Sequence, residues 1–188
     1  MEVKMAKTGW IKVKSVVILK TPFFTLYRRD FCRPDGSLIK DYYLMEKPES
    51  VHIIPIKRDG KVVLLKHYRP GPNKFSLELP AGYIKDNETL EEACQRELIE
   101  ETGYRAQHFL YVSDFTEDTS RVIGYRCHLF IAYELNKAEK RDFTPETKDI
   151  EITEMPLKKA IRKIEKTKKK DLILTAGLLL AQRITQRH

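Results

Sequence analysis

With 188 residues, 41% hydrophobic and 33% charged, the chain has material for one sizeable core, or a core with a small appendage. Its first ten residues, MEVKMAKTGW, lack the apolar stretch of a secretory signal, and no apolar run approaches bilayer length, so neither export nor membrane insertion is expected. The net charge of +8 invites a nucleic-acid partner, but residues 158–170 hold eight Lys/Arg against one acid, Glu165, so most of the excess is a single segment.

Taken in order, the first third reads as β-structure. Residues 10–19, 23–32 and 38–45 are rich in β-branched and aromatic side chains, and Pro34-Asp35-Gly36 predicts a turn between the second and third runs. Three strands bury little surface alone. Residues 1–46 are therefore expected to form a small antiparallel subdomain that leans on the rest of the chain or on a second copy of it. In the remainder, 47–188, the runs 51–56 and 62–68 predict a hairpin about Arg58-Asp59-Gly60, and 75–79 a further strand.

A helix follows, then strands at 109–115 and 125–135, separated by the acidic loop Thr116-Glu117-Asp118-Thr119-Ser120. A short strand at 150–153 leads into a helix with Pro156 at its entry, and a terminal helix over 171–186 is apolar on most sides. That last helix is expected to be buried or to lie at a subunit contact. Strands, helix, strands and helices in this order describe an α+β chain with a mixed sheet. The basic segment has no interleaved aromatics for stacking on bases, so it reads as a solvated helix face, and nucleic acid is not an expected partner. Three cysteines, Cys32, Cys94 and Cys127, are odd in number and lack metal-ligand spacing, which fits a reducing, cytoplasmic setting. The five histidines show no ligand spacing either.

The most informative stretch is GYIKDNETLEEACQRELIEETGY, from Gly82 to Tyr104. Thr89 with Glu92 three residues on is a capping-box start, and Gly103 is a stop signal. Within that helix Glu97, Glu100 and Glu101 stand at i, i+3 and i+4, so three carboxylates share one face. They repel one another, and a hard divalent cation such as Mg²⁺ would remove the repulsion. An acidic helix face is commonly just solvated. Here, however, the helix follows Leu77-Glu78-Leu79-Pro80-Ala81-Gly82, a strand that breaks sharply and is expected to bring the backbone carbonyls at Ala81 and Gly82 near the carboxylates. Arg96 is placed to neutralise Glu92 or Glu100 from the flank.

Glycine, five residues, Glu88, seven residues, then Arg96-Glu97-Leu98-x-Glu100-Glu101-x-Gly103 resembles the Nudix box of the Nudix hydrolases at every fixed polar and glycine position. Tyr104 departs from the usual aliphatic residue, at a position that packs the next strand. The family resemblance spans about 51–164 and implies the Nudix fold, an α/β/α sandwich. The preceding β-subdomain, with Tyr68-Arg69-Pro70 and Leu77–Gly82, is similar to the ADP-ribose pyrophosphatase and nucleoside-diphosphate-sugar branch, in which such strands help form a homodimer and complete the substrate site.

The resemblance implies Mg²⁺, or Mn²⁺ in its place, held by Glu97, Glu101 and the Ala81 carbonyl, with Glu100 a ligand or near it and Glu88 in a supporting role. Arg96 is read as a salt-bridge clamp in preference to a phosphate contact. The general base implied by the branch is a Glu on a loop before the last strand, here Glu146, with Glu100, Glu117 and Asp118 as competitors. Arg69 is a candidate for phosphate or ribose, Glu78 for sugar hydroxyls, and Arg28 and Arg29 for a partner subunit's site; ion pairs or a solvated strand edge explain these four as well. ADP-ribose-specific members usually carry a proline about sixteen residues past the box. This chain has none between Gly103 and Arg141, which leaves GDP-mannose or a broader set of nucleoside diphosphate sugars open. The non-enzymatic alternative is a domain that senses a nucleotide sugar or binds RNA; such a domain has no reason to keep a self-repelling stripe.

Overall fold

The computed structural model describes residues 9–116, 120–138, 148–168 and 170–186. Thirteen strands and three helices are seen among them. In chain order these are β1 Ile11–Lys20, β2 Thr25–Cys32, β3 Leu38–Glu46, β4 Ser50–Pro55, β5 Lys61–Arg69, β6 Lys74–Glu78 and β7 Ala81–Tyr83, then α1 Leu90–Thr102. They continue with β8 Tyr104–Arg105, β9 His108–Phe115, β10 Val122–Ile123, β11 Cys127–Tyr133, β12 Asn136–Lys137, β13 Glu151–Pro156, α2 Leu157–Glu165 and α3 Leu172–Thr185. The chain divides into two compact units, Met1–Glu49 with Thr116–Arg126, and Ser50–Phe115 with Cys127–His188.

The first unit is a β-meander. β1, β2 and β3 pair antiparallel in sequence order, and the short β10 joins β3 in parallel. The expected turn is present: Gly36 N–H donates to the Arg33 carbonyl at 3.0 Å, with Gly36 at φ 82°. A small sheet has little interior, and stacking stands in for it. Trp10, Phe31 and Tyr42 pack with ring centroids under 6 Å apart, and the Arg121 guanidinium lies 3.8 Å above the Tyr42 ring.

The second unit is layered. One sheet runs β7-β4-β11-β9 with β4 and β11 parallel, a second runs β13-β5-β6, and β8 pairs with β12. Because successive strand side chains point to opposite faces, Val51, Ile53 and Val63 meet Ala93, Cys94 and Leu98 of α1 on one side. Ile54 points the other way and reaches within about 3.3 Å of where a Cβ on Gly177 of α3 would sit. α1 thus covers one face and α3 the other, a helix–sheet–helix sandwich. β4 and β11 are buried along nearly their whole length, as strands covered on both sides must be.

The predicted hairpin between β4 and β5 is not a ladder. The turn at Lys57–Gly60 forms, but only the isolated bridge Ile56↔Val62 joins its arms, and the two strands enter different sheets. Neighbouring apolar runs with a turn between them look alike whether they pair or part; here each finds longer partners elsewhere. Pro156 lies one step earlier than an N1 proline, at the N-cap of α2. α3 keeps the predicted extent, with Asp171 as N-cap and Gln186 as C-cap, and it buries Ile173, Leu174, Leu178 and Ala181.

Candidate active site

The centre of the site is α1 and the strand that roofs it. The helix begins as its capping box directs: the Thr89 side chain accepts from Glu92 N–H, and the Glu92 carboxylate accepts from Thr89 N–H at 2.8 Å. It ends at Gly103, whose N–H donates to the Ile99 carbonyl. Glu92 is thus committed to the cap, and Arg96 does not pair with it as its spacing suggested.

Arg96 instead organises the acids around it. Its Nε and Nη2 form a two-pronged contact to Glu88 at 2.7 and 2.8 Å, Nη2 also donates to the Tyr83 carbonyl at 2.9 Å, and Nη1 bonds Glu97. The same Nη1 stands 3.7 Å from Glu100. Glu88 takes a further N–H from Lys85 at 3.0 Å, and the guanidinium holds its carboxyl below the usual carboxylate range. One planar cation therefore ties the loop before the helix to the helix itself.

Two of the three stripe carboxylates are not on a surface. Glu97 and Glu101 are only 9% and 8% exposed, while Glu100 is partly open to solvent. Their cover is β7, which lies antiparallel to β4 with Val51 opposite Gly82 and His52 opposite Ala81. Ala81 N–H donates to Glu101 Oε2 at 2.9 Å, so the backbone group seen to meet that carboxylate is the amide and not the expected carbonyl, since a carboxylate oxygen needs a donor. A Cβ on Gly82 would overlap the Glu97 carboxylate, so only glycine lets the strand pass this close. Burial pushes the Glu101 carboxyl up to about 8, with the Glu97 charge adding to the rise and the Ala81 hydrogen bond opposing it. Glu97 is raised as well; burial outweighs the attraction of Arg96.

Carboxylates buried side by side with raised proton affinity, all hard oxygen donors, fit a divalent cation as their missing counter-charge. Among the described residues no three acidic, histidine or cysteine side chains already converge as a closed cage, and Arg96 stands between Glu97 and Glu100. Nearby, Arg69 of β5 and Glu78 of β6 form a bidentate ion pair with contacts of 2.6 to 3.0 Å, and both charges act on Glu101.

Arg28 and Arg29 lie in the other compact unit, on β2. Arg28 faces Asp41 at 3.5 Å, and Arg29 donates to Ser15 Oγ and lies over the Tyr27 ring. Glu146, Glu117 and Asp118 fall outside the described residues. Sequence reading passed over β7, which is too short to show periodicity, and the burial of the stripe, which depends on it. The signal that could have found both was the glycine at position 82, spaced to meet a carboxylate.

Residues 46–176 match the family model of the NUDIX domain, well over half of the chain. The chain belongs to the Nudix family. α1 is therefore its Nudix helix, and the segment from Gly82 of β7 to the N-cap Thr89 the first half of its Nudix box. The chain is similar to the ADP-ribose pyrophosphatase of Bacillus subtilis, 29% identical over 140 residues that cover 74% of this chain and 75% of that protein. It is also similar to the GDP-mannose pyrophosphatase of Cronobacter sakazakii, 29% identical over 159 residues, 78% and 82% of the two chains. A crystal structure of an ADP compounds hydrolase superposes with a TM-score of 0.84 over 97% of each chain, at 21% identity, which shows that this Nudix chain shares its fold. No helix among the described residues is long and apolar enough to cross a membrane.

Proposed function

We propose that this Nudix protein hydrolyses the pyrophosphate bond of a nucleoside diphosphate sugar, releasing a nucleoside monophosphate and a sugar phosphate. ADP-ribose or a related diphosphosugar is the expected substrate, with a GDP-mannose-type or broader range as the alternative. The observation that carries this reading is the pair of carboxylates, Glu97 and Glu101, held beneath Gly82 and Ala81 and largely withdrawn from solvent. The relatives named for ADP-ribose and GDP-mannose support the substrate class.

Glu97, Glu101, Glu100 and the Ala81 carbonyl are the groups we assign to a divalent cation, Mg²⁺ with Mn²⁺ as a substitute. When bound, such a cation neutralises diphosphate oxygens that otherwise repel a nucleophile. The chain's own residues do the rest. Arg96 holds Glu97 and Glu88 in fixed rotamers, so the carboxylates need not reorganise. A water adds to one phosphorus as the bridging P–O bond breaks; Glu146, or failing it Glu100, takes its proton. Arg69 and Glu78 offer a cation and an acceptor on neighbouring strands, for phosphate or ribose and for sugar hydroxyls, at the cost of their mutual contact. We assign Arg28 and Arg29 to the site of a partner subunit in a cytoplasmic homodimer, built on residues 1–46.

The test is phosphate release from ADP-ribose, ADP-glucose, GDP-mannose and UDP-glucose, with Mg²⁺ and an added phosphatase, by the wild type and by Glu101→Gln. Turnover of one diphosphosugar that the substitution abolishes is the expected result. Silence across the panel from folded protein would instead favour the sensing domain.

A further inference from the structure

The β13-β5-β6 sheet has two faces of different chemistry. Its register sets Leu65 opposite Glu78 on one face, and Lys66 opposite Leu77 and Tyr68 opposite Phe75 on the other. The first face carries Glu78 towards Glu101. Along the outer edge of the sheet, Lys74, Phe75, Ser76 and Leu77 of β6, residues of both faces, border a cavity of about 490 Å³ with α2 and the start of α3 on its far side. That volume is within the range of small-molecule sites, roughly 300–1,000 Å³.

The cavity is cationic with an apolar floor. Lys66, Lys74, Lys163 and Lys170 line it, and among the described residues Asp171 is the only acid on its wall. Asp171 is turned to its own helix, where Oδ1 accepts Leu174 N–H at 2.7 Å. Lys66 is held by Glu151 at 2.9 Å and lies over the Phe75 ring, and Lys170 donates to the Thr167 carbonyl. Lys74 and Lys163 have no acidic partner among the described residues. Leu77, Ile164 and Leu174 line the same cavity, and Phe75, also on its wall, is exposed. Two uncommitted cations on the wall of one cavity favour an anion there, and the N-terminal end of α3 adds field of the same sign.

We propose that this cavity binds a phosphomonoester carried on a flat apolar body, such as a nucleoside monophosphate, at a site separate from the Nudix carboxylates. The phosphate fits Lys74 and Lys163, and the ring fits Phe75 and Leu77, since ring stacking on an aromatic is tolerant of base identity. One product of the proposed hydrolysis has this chemistry, so the cavity would let the enzyme register its own output; the site itself stands on the cavity and does not require that reading.

The probe is AMP, titrated into the whole protein without divalent cation and followed by backbone amide NMR. Saturable shifts are expected at Phe75, Leu77, Lys163 and Leu174, and Glu101→Gln should leave them unchanged. Lys74→Ala combined with Lys163→Ala, both at exposed positions, should weaken those shifts at least about tenfold, and adenosine should bind at least about tenfold less well than AMP. Shifts confined to the Nudix box, no shifts at all, full affinity in the double variant, or inorganic phosphate binding as tightly as AMP would each overturn the proposal. Retained turnover of a diphosphosugar by the double variant separates its failure from that of the Nudix site.

Discussion

The proposed metal role requires Glu101 to be charged in a place that favours its neutral form. With its carboxyl pushed up to about 8, the folded chain binds more protons there than the unfolded chain does above the ordinary carboxylate value. Stability of the metal-free protein should therefore fall as pH rises from that ordinary value to about 8, and saturating Mg²⁺ should flatten the slope. Urea midpoints across this window, with Glu101→Gln as the reference that lacks the titration, check the sign. The same substitution keeps an acceptor for Ala81 N–H while deleting the charge. It should lower turnover on the order of 100-fold or more, the scale on which losing one charge-stabilising group slows an enzyme. Gly82→Ala tests the close approach of strand and carboxylate: the Glu97 side chain has to move, so the Mg²⁺ concentration for half-maximal activity should rise while far-ultraviolet dichroism stays unchanged.

At the level of elements, α1 is set by its two ends and by one arginine. Removing the capping hydroxyl with Thr89→Ala should cost about 1 kcal/mol in urea unfolding, with turnover per folded molecule preserved, because the cap lies away from the carboxylates. Arg96→Lys keeps the charge but loses the fork that grips Glu88 while another prong holds Glu97. Turnover should fall roughly 10- to 100-fold, as for other groups that orient metal ligands, and adding Mg²⁺ should recover part of it. The capping box, the stop glycine and the spacing of the acids were all legible in the sequence, since each is a contact between residues a few positions apart. The choice of Glu88 over Glu92 by Arg96 was not, because it depends on how the loop from Gly82 folds back onto the helix.

For the molecule as a whole, the open question in the first unit is its edge. β1 lies at the end of its sheet and presents Val13 and Val17, each more than half exposed, along a strand of ten residues. If the expected homodimer uses this strand, sedimentation should give twice the chain mass, and Val17→Asp should return a monomer. A wild-type monomer would count against the dimer. The same unit recruits Thr116–Arg126 from far downstream in the chain, where β10 pairs with β3. No local pattern announces that, because a two-residue strand has no period.

The sequence by itself determined the family, the Nudix helix with its caps and acidic stripe, and most strands, because short-range spacing and periodicity encode them directly. Only the tertiary structure decided that β4 and β5 part into different sheets, that Glu97 and Glu101 are buried under β7, and that four lysines from two strands, α2 and the segment after it line one cavity. These are outcomes of which distant surfaces bury one another. A carboxylate's environment, and so its proton affinity, is a property of that packing and not of its neighbours along the chain.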